Sequence, residues 1–396
     1  MVNQKAYELG SKRSVIREIF EYAKVRGAEI GEENVFDFSL GNPSVPAPAQ
    51  VNESILRLLQ ETPSVALHGY TSAQGNFEVR SVIAANMVRR FGVAMRPELL
   101  YMTCGAAASL TITLSALTVE KGDEFLTFAP YFTEYKVFVE GAGAKLTVLP
   151  SNERLLPDFE ALKGALHARV RGIIINSPNN PSGVVYDEET LKTLAEVLRA
   201  ASERFGSPVY LIADEPYREL VYDGVVVPCP MRYYDDTVIC YSYSKSLSLP
   251  GERIGYVAVS PTASECECLY AAICGAGRRL GFVCAPALFQ RVAAECDGLT
   301  GDLSVYRENR DLLYQMLTEC GFSCVYPQGA FYLFMKSPEA DAAAFCARAK
   351  KYELLFVPSD DFGCAGYVRI AYCVSTQTIQ RARGAFIALS QEYGLL

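Results

Sequence analysis

The chain has 396 residues, half of them hydrophobic, with 21% charged side chains and a formal net charge of −8. That composition describes a folded chain with a sizeable core and excludes a disordered one. The acid excess, and the absence of any long Lys/Arg run, exclude nucleic acid and anionic membrane surfaces as expected partners. The opening stretch, MVNQKAYELGSKRSVIREIFEYAKVRG, is charged and lacks the apolar core of a secretory signal. The thirteen cysteines form no regular framework. Reduced thiols and a cytoplasmic address are therefore expected. With two histidines and no second cluster to match SECECLY, no metal site is expected.

The longest weakly polar run, Cys104 to Val119, is shorter than a membrane span, contains five Ser/Thr residues, and reads as a buried helix. Around it lie seven β-rich runs: LLYMTCG, DEFLTFAP, AKLTVLP, RGIIINSP, PVYLIADEPY, DTVICYSYSK and IGYVAVS. Helical patterns separate several of them, such as DEETLKTLAEVLRAASERFG, where Leu191, Leu194, Leu198 and Phe205 fall near one face. Strands alternating with helices predict an α/β architecture, a largely parallel sheet covered on both sides. After about Gly281 the pattern changes to a long helical stretch and then the short strands GAFYLFMK and YVRIAYC. The expected organisation is a larger domain over residues 46–280. A smaller α+β domain is expected from residues 1–45 together with 281–396.

Ligands of parallel α/β sheets collect at the carboxyl ends of the strands. Three consecutive central strands end here in specific polar residues: Asn180, then Asp214 and Tyr217, then Ser242, Ser244 and Lys245. A lysine that acts as a nucleophile needs a carbonyl partner and surroundings that lower its pKa, which a nearby cation such as Arg253 supplies. Arg253 with Ser242 and Ser244 offers charge and hydroxyl donors suited to a phosphate. A carboxylate one strand over suits a protonated pyridine nitrogen. Together these features specify pyridoxal phosphate.

At this point the chain resembles the class I and II pyridoxal-phosphate aminotransferases. The stretch SYSKSLSLPGERIGY fits the lysine-attachment signature of class I, and the other motifs follow in the family's order: SLGNPSVPAP, HGYTSAQG, TCGAAASL, APYFTEY, NSPNNPSG, ADEPY and YVRIAY. The resemblance implies the fold type I architecture of aspartate aminotransferase, with a mostly parallel seven-stranded sheet in the large domain. It implies that Lys245 bonds the cofactor aldehyde and later moves the substrate proton, and that Asp214 pairs with the pyridine nitrogen. Asn180 and Tyr217 would serve the phenolic oxygen, and Tyr131 would stack on the ring. Ser242, Ser244, Arg253 and the backbone at Gly105, Ala106 and Ala107 would take the phosphate. Tyr70 would reach the phosphate of a neighbouring subunit, making an obligate homodimer with shared active sites. Arg369 would clamp the substrate carboxylate, with Gly41 and Asn180 beside it.

The implied activity transfers an amino group between an L-amino acid, acidic or of broad or aromatic type, and a 2-oxo acid such as 2-oxoglutarate. In GAGRRLGFVCAP, Arg279 (or its neighbour Arg278) stands where dicarboxylate-specific members place a second arginine that reaches the active site of the neighbouring subunit and binds the substrate side chain. Another reaction on the same cofactor, such as β-elimination of a C–S bond, uses the same motifs. A regulator that binds pyridoxal phosphate would need a basic DNA-binding domain, for which the acidic chain offers little room.

Overall fold

The computed structural model describes residues 1–11 and 15–396, which divide into two compact units. The larger unit comprises residues 45–303 and 328–330, and the smaller one residues 1–44, 304–327 and 331–396.

All seven β-rich runs of the sequence form strands of one sheet in the larger unit. They are β1 (Leu100–Thr103), β2 (Glu124–Phe128), β3 (Lys145–Leu149), β4 (Val170–Asn176), β5 (Tyr210–Asp214), β6 (Thr237–Ser242) and β7 (Gly255–Val259). Their order across the sheet is β1-β7-β6-β5-β4-β2-β3. The pairs from β6 through β3 are parallel, and β7 is inserted antiparallel between β1 and β6. The central strands are buried on both faces, which is why they read as continuous apolar runs and not as alternating ones.

The helices that cover the sheet have legible ends. Glu188–Phe205 starts at Asp187, whose side chain accepts from the Thr190 N–H, carries Glu188 and Glu189 in its first turn, and stops at Gly206 in the left-handed conformation. Its face of Leu191, Leu194 and Leu198 is buried. The run after Cys104 forms the helix Ala106–Leu117, buried along most of its length. No described helix is long and apolar enough to cross a membrane, and all thirteen cysteines are free.

Residues 281–303, expected to open the smaller domain, belong to the larger unit. The reason is packing. Helix Ala287–Glu295 buries Gln290, Val292, Ala293 and Ala294 and lies against helices Ala49–Glu61 and Phe77–Phe91 of that unit.

In the smaller unit, the strands Tyr332–Lys336 and Tyr367–Ala371 pair antiparallel at the centre of a four-stranded sheet. A short parallel pair, Phe36–Asp37 with Leu354–Leu355, ties the segment before Ser44 to the carboxy-terminal part. The core of this unit is aromatic, with the Phe356 ring in contact with those of Phe38, Phe345 and Phe386.

Candidate active site

The sheet register sets the site. Asn176 at the end of β4 lies beside Asp214 at the end of β5, and Asp214 lies beside Cys240 in β6. Beyond these ends the chain leaves through the Ser177–Gly183 turn, through Glu215–Tyr217, and through one helical turn, Tyr243–Ser246. Asn180, Tyr217, Ser242 and Ser244 are buried, and Lys245 is half-buried between buried neighbours.

Asp214 is 4% exposed. Its Oδ2 accepts a 2.5 Å hydrogen bond from the Tyr135 hydroxyl, while Oδ1 is buried with no hydrogen-bond partner. Burial pushes this carboxyl up to about 7; the Tyr135 hydrogen bond opposes the shift and neighbouring Glu215 adds to it. An unsatisfied buried oxygen of this kind costs about 1–3 kcal/mol, so the position suits a ligand that brings its own charged N–H. A protonated pyridine nitrogen is such a donor. The strand beside Asp214 is braced as well. The Asn176 side-chain amide donates to the Asp214 carbonyl at 2.8 Å, and its Oδ1 accepts from the Asn180 N–H at 2.7 Å.

Tyr135 and Asn176 were not among the residues singled out in the sequence. Tyr131, expected as the stacking ring, is buried with its ring stacked on Tyr135 at 6.3 Å between centroids. The adjacent Phe132 is half-buried and meets Tyr135 edge-on at 5.7 Å, which makes it a second candidate for covering a planar ligand.

The phosphate-binding residues converge around Gly105. This glycine has φ +90° and begins helix Ala106–Leu117 with no side chain capping it. The first N–H groups of that helix, at Ala106 and Ala107, therefore receive no cap from Gly105. A Cβ at position 105 would stand 2.9 Å from Arg253 Nη2 and 3.4 Å from Ser242 Oγ, which places all three around one small cup. The Ser242 and Ser244 hydroxyls are 2.8 Å apart, and Arg253 Nη1 donates to Ser244 Oγ at 3.3 Å. A helix terminus, two hydroxyls and a guanidinium suit a phosphate dianion. The donor set and the orphaned Asp214 oxygen thus fit pyridoxal phosphate at both ends of the molecule.

In the smaller unit, Arg369 is 3% exposed and sits in mid-strand, opposite Phe334 on one side and Val357 on the other. Its Nη2 donates to the Ser39 carbonyl at 2.6 Å. The guanidinium lies 4.6 Å from the centre of the Tyr332 ring and 5.4 Å from that of Phe362. Gly41 abuts the same tyrosine, since any Cβ there would overlap the Tyr332 hydroxyl.

Two further residues singled out in the sequence make no hydrogen bond or ion pair with these groups among the described residues. Tyr70 is 98% exposed. Arg279 ends helix Cys266–Leu280 and donates to Ser115 Oγ of its own chain, and Arg278 beside it is exposed.

The chain is similar along nearly its whole length to known proteins. Residues 33–386 match the family model for aminotransferases of classes I and II. The chain is 30% identical to a probable aspartate/prephenate aminotransferase of Thermus aquaticus over 87% of its length and 89% of the relative's. It is 29% identical to a probable aspartate aminotransferase of Methanocaldococcus jannaschii, covering 94% of this chain and 96% of that one. Among solved structures, an amino transferase from Eubacterium rectale superposes with a TM-score of 0.98 at 55% identity, covering 100% of this chain and 99% of that chain. An aspartate aminotransferase from Thermus thermophilus with maleate superposes at 0.84 with 26% identity, covering 98% and 100%.

Proposed function

We propose that this chain, which belongs to the class I and II aminotransferase family and is a pyridoxal-phosphate-dependent aminotransferase, takes its amino group from an acidic L-amino acid, aspartate foremost. The acceptor is a 2-oxo acid such as 2-oxoglutarate. The observation that carries the site assignment is Asp214 Oδ1, a buried oxygen without a partner at the end of a central strand. Names of relatives support the donor: aspartate aminotransferases recur among them, and the Thermus thermophilus structure holds the dicarboxylate maleate. Nothing among these relatives favours a C–S lyase or a regulator.

When bound, the cofactor supplies an electron sink for the negative charge that develops at the substrate Cα. The protein's own residues do the rest. The Lys245 amine would hold the cofactor by its aldehyde and carry the proton to and from the substrate Cα. Asp214 would hold the ring proton by charge, and the hydrogen bond from the Tyr135 hydroxyl would fix the orientation of that carboxylate. Asn180 and Tyr217 donate to the phenolic oxygen. Gly105, Ala106, Ala107, Ser242, Ser244 and Arg253 take the phosphate, and Tyr70 supports it from a second copy, in a cytoplasmic homodimer with shared sites. Arg369 binds the substrate α-carboxylate, with Gly41 leaving room beside it. Arg279 takes the second carboxylate of the donor in the neighbouring copy's site, exchanging its contact with Ser115 for the substrate.

The test is a donor profile with a common 2-oxo-acid acceptor. Aspartate is expected to give the highest kcat/KM, and Arg279→Ala to lower it at least tenfold while sparing phenylalanine. A wild type that prefers phenylalanine or methionine overturns the acidic-donor reading. Equal losses for all donors in Arg279→Ala overturn the role of that arginine.

A further inference from the structure

A short loop of the larger unit combines an exposed tyrosine with a tightly fastened base. Residues 69–76 connect helices Ser64–His68 and Phe77–Phe91, and Tyr70, near the start of the loop, is 98% exposed. Under the loop lies Gln290, a polar side chain with no exposed surface (0%). Its Oε1 accepts from the Asn76 N–H at 2.7 Å; its Nε2 donates to Thr71 Oγ1 at 3.3 Å and to the Ala285 carbonyl at 2.5 Å. One buried amide thus grips the loop near both ends.

Other contacts fasten what lies between. The Met102 N–H donates to the Gln74 carbonyl at 2.9 Å, and the Cys284 N–H to the Ala73 carbonyl at 3.1 Å. The Cys284 thiol donates to the Thr71 carbonyl at 3.5 Å, and the Gln74 amide to Cys274 Sγ at 3.7 Å. Cys284 makes its contacts from a left-handed backbone conformation, φ 53°, which costs a residue with a Cβ on the order of 1 kcal/mol.

A link between two helices does not require this. Burying an amide is unfavourable unless its donors and acceptor are all engaged, and here the loop engages the acceptor and one donor while the Ala285 carbonyl takes the other. What the fastening accomplishes is to fix the backbone that directly follows an aromatic residue its own chain leaves uncovered. An exposed side chain on a fixed base loses less freedom when it is captured by something outside the chain.

We propose that Gln290 is a positioning residue that presets Tyr70 for the cofactor phosphate of a neighbouring copy. The inference rests on the reading of Tyr70 as that phosphate's donor, and adds to it the residue that makes the donation effective. Gln290 touches neither cofactor nor substrate; it acts through Thr71 and Asn76.

The experiment is a double-mutant cycle on the holoenzyme, read by the rate at which pyridoxal phosphate is released on dilution into a trap. Tyr70→Phe is expected to speed release about tenfold, the loss of roughly one hydrogen bond to a charged group. Gln290→Met, close to it in size, and Thr71→Val are each expected to speed release in the same direction. In the Tyr70→Phe background, Gln290→Met should add less than about twofold, because the group it positions is already gone. If Tyr70→Phe loosens the cofactor and Gln290→Met does not, the inference fails while the reading of Tyr70 stands. Full additivity of the two changes would mark Gln290 as a merely structural residue and also overturn the inference. If Tyr70→Phe has no effect, both fall. Should Gln290→Met fail to fold, Thr71→Val, on the half-buried side of the same hydrogen bond, carries the cycle alone.

Discussion

Asp214 and Arg369 are both buried charged groups, yet the two units hold them in different ways. Asp214 is the last residue of β5, one oxygen held by Tyr135 and the other without a partner in the fold. Arg369 is the third of five residues in its strand, with neighbours paired on both sides and an aromatic ring on each of two flanks. A group at a strand end depends on the loop that follows and on what binds there. A group in mid-strand takes its position from the register of the whole sheet. The larger unit therefore concentrates exchangeable chemistry at an edge, and the smaller unit fixes Arg369 within its sheet.

The largest effect expected of any change on the edge is that of Lys245→Ala. Removing the amine that attaches the cofactor and moves the proton should lower transamination by roughly 10⁴-fold. The cofactor's visible absorbance should shift in the same variant. Retention of both would break the assignment of this edge.

Asp214→Asn comes next, with kcat lowered by roughly 10²–10³-fold and KM little changed, because an amide cannot hold the ring proton by charge. Steady-state kinetics at saturating cofactor check it, and near-wild-type turnover refutes the role.

Arg369→Lys should act on the other side of the comparison. It loses the planar fork that meets a carboxylate, so KM should rise about 10- to 100-fold for every amino donor. The absorbance of the bound cofactor should stay as in wild type. If that absorbance changes as strongly as in Asp214→Asn, the division between edge and fixed cation does not hold.

The smallest effect concerns pH and the cofactor-free protein. The Asp214 carboxyl titrates at about 7 in the fold against 3.8 as the ordinary value, because burial disfavours its ionised form. Its contribution to stability is thus fully present below about pH 4 and is lost as pH rises toward 7. The loss should amount to about 2–4 kcal/mol. Denaturant melts of the cofactor-free protein between those values should show the decline, and Asp214→Asn should flatten it. Identical slopes in the two proteins would remove Asp214 as the cause.

Much of the edge was legible because strand ends punctuate sequence strongly. The seven strands announced themselves as apolar runs, and Asn180, Asp214 and Lys245 followed them at once. Helix Glu188–Phe205 was legible to its caps, Asp187 and Gly206. What sequence could not rank were residues of common type inside regular elements. Tyr131, Phe132 and Tyr135 offer three rings within one turn, and only packing shows that Tyr135 reaches the carboxylate. Asn176 reads as the last residue of a strand, and Gln290 as one polar position in an amphipathic helix. The same blindness misplaced residues 281–303, whose helical pattern is alike on either side of the boundary; which helices the buried face meets decided their unit.

The antiparallel insertion of β7 has a consequence for the order in which the protein is made. Thr103 of β1 and Ser242 of β6 both pair with Gly255, so the walls of the phosphate cup are brought together by the seventh strand. Gly105 and Ser242 belong to chain segments synthesised far apart, and nothing joins them in the sheet until residues 255–259 slide between. During synthesis, β1 must therefore wait for a partner that emerges from the ribosome some 150 residues later, a long-range closure of the slow-folding kind. A nascent chain stopped short of this strand would hold every residue of the cup, yet have no cup. Capture of the cofactor's phosphate by such truncated chains would then time the moment at which the sheet is completed.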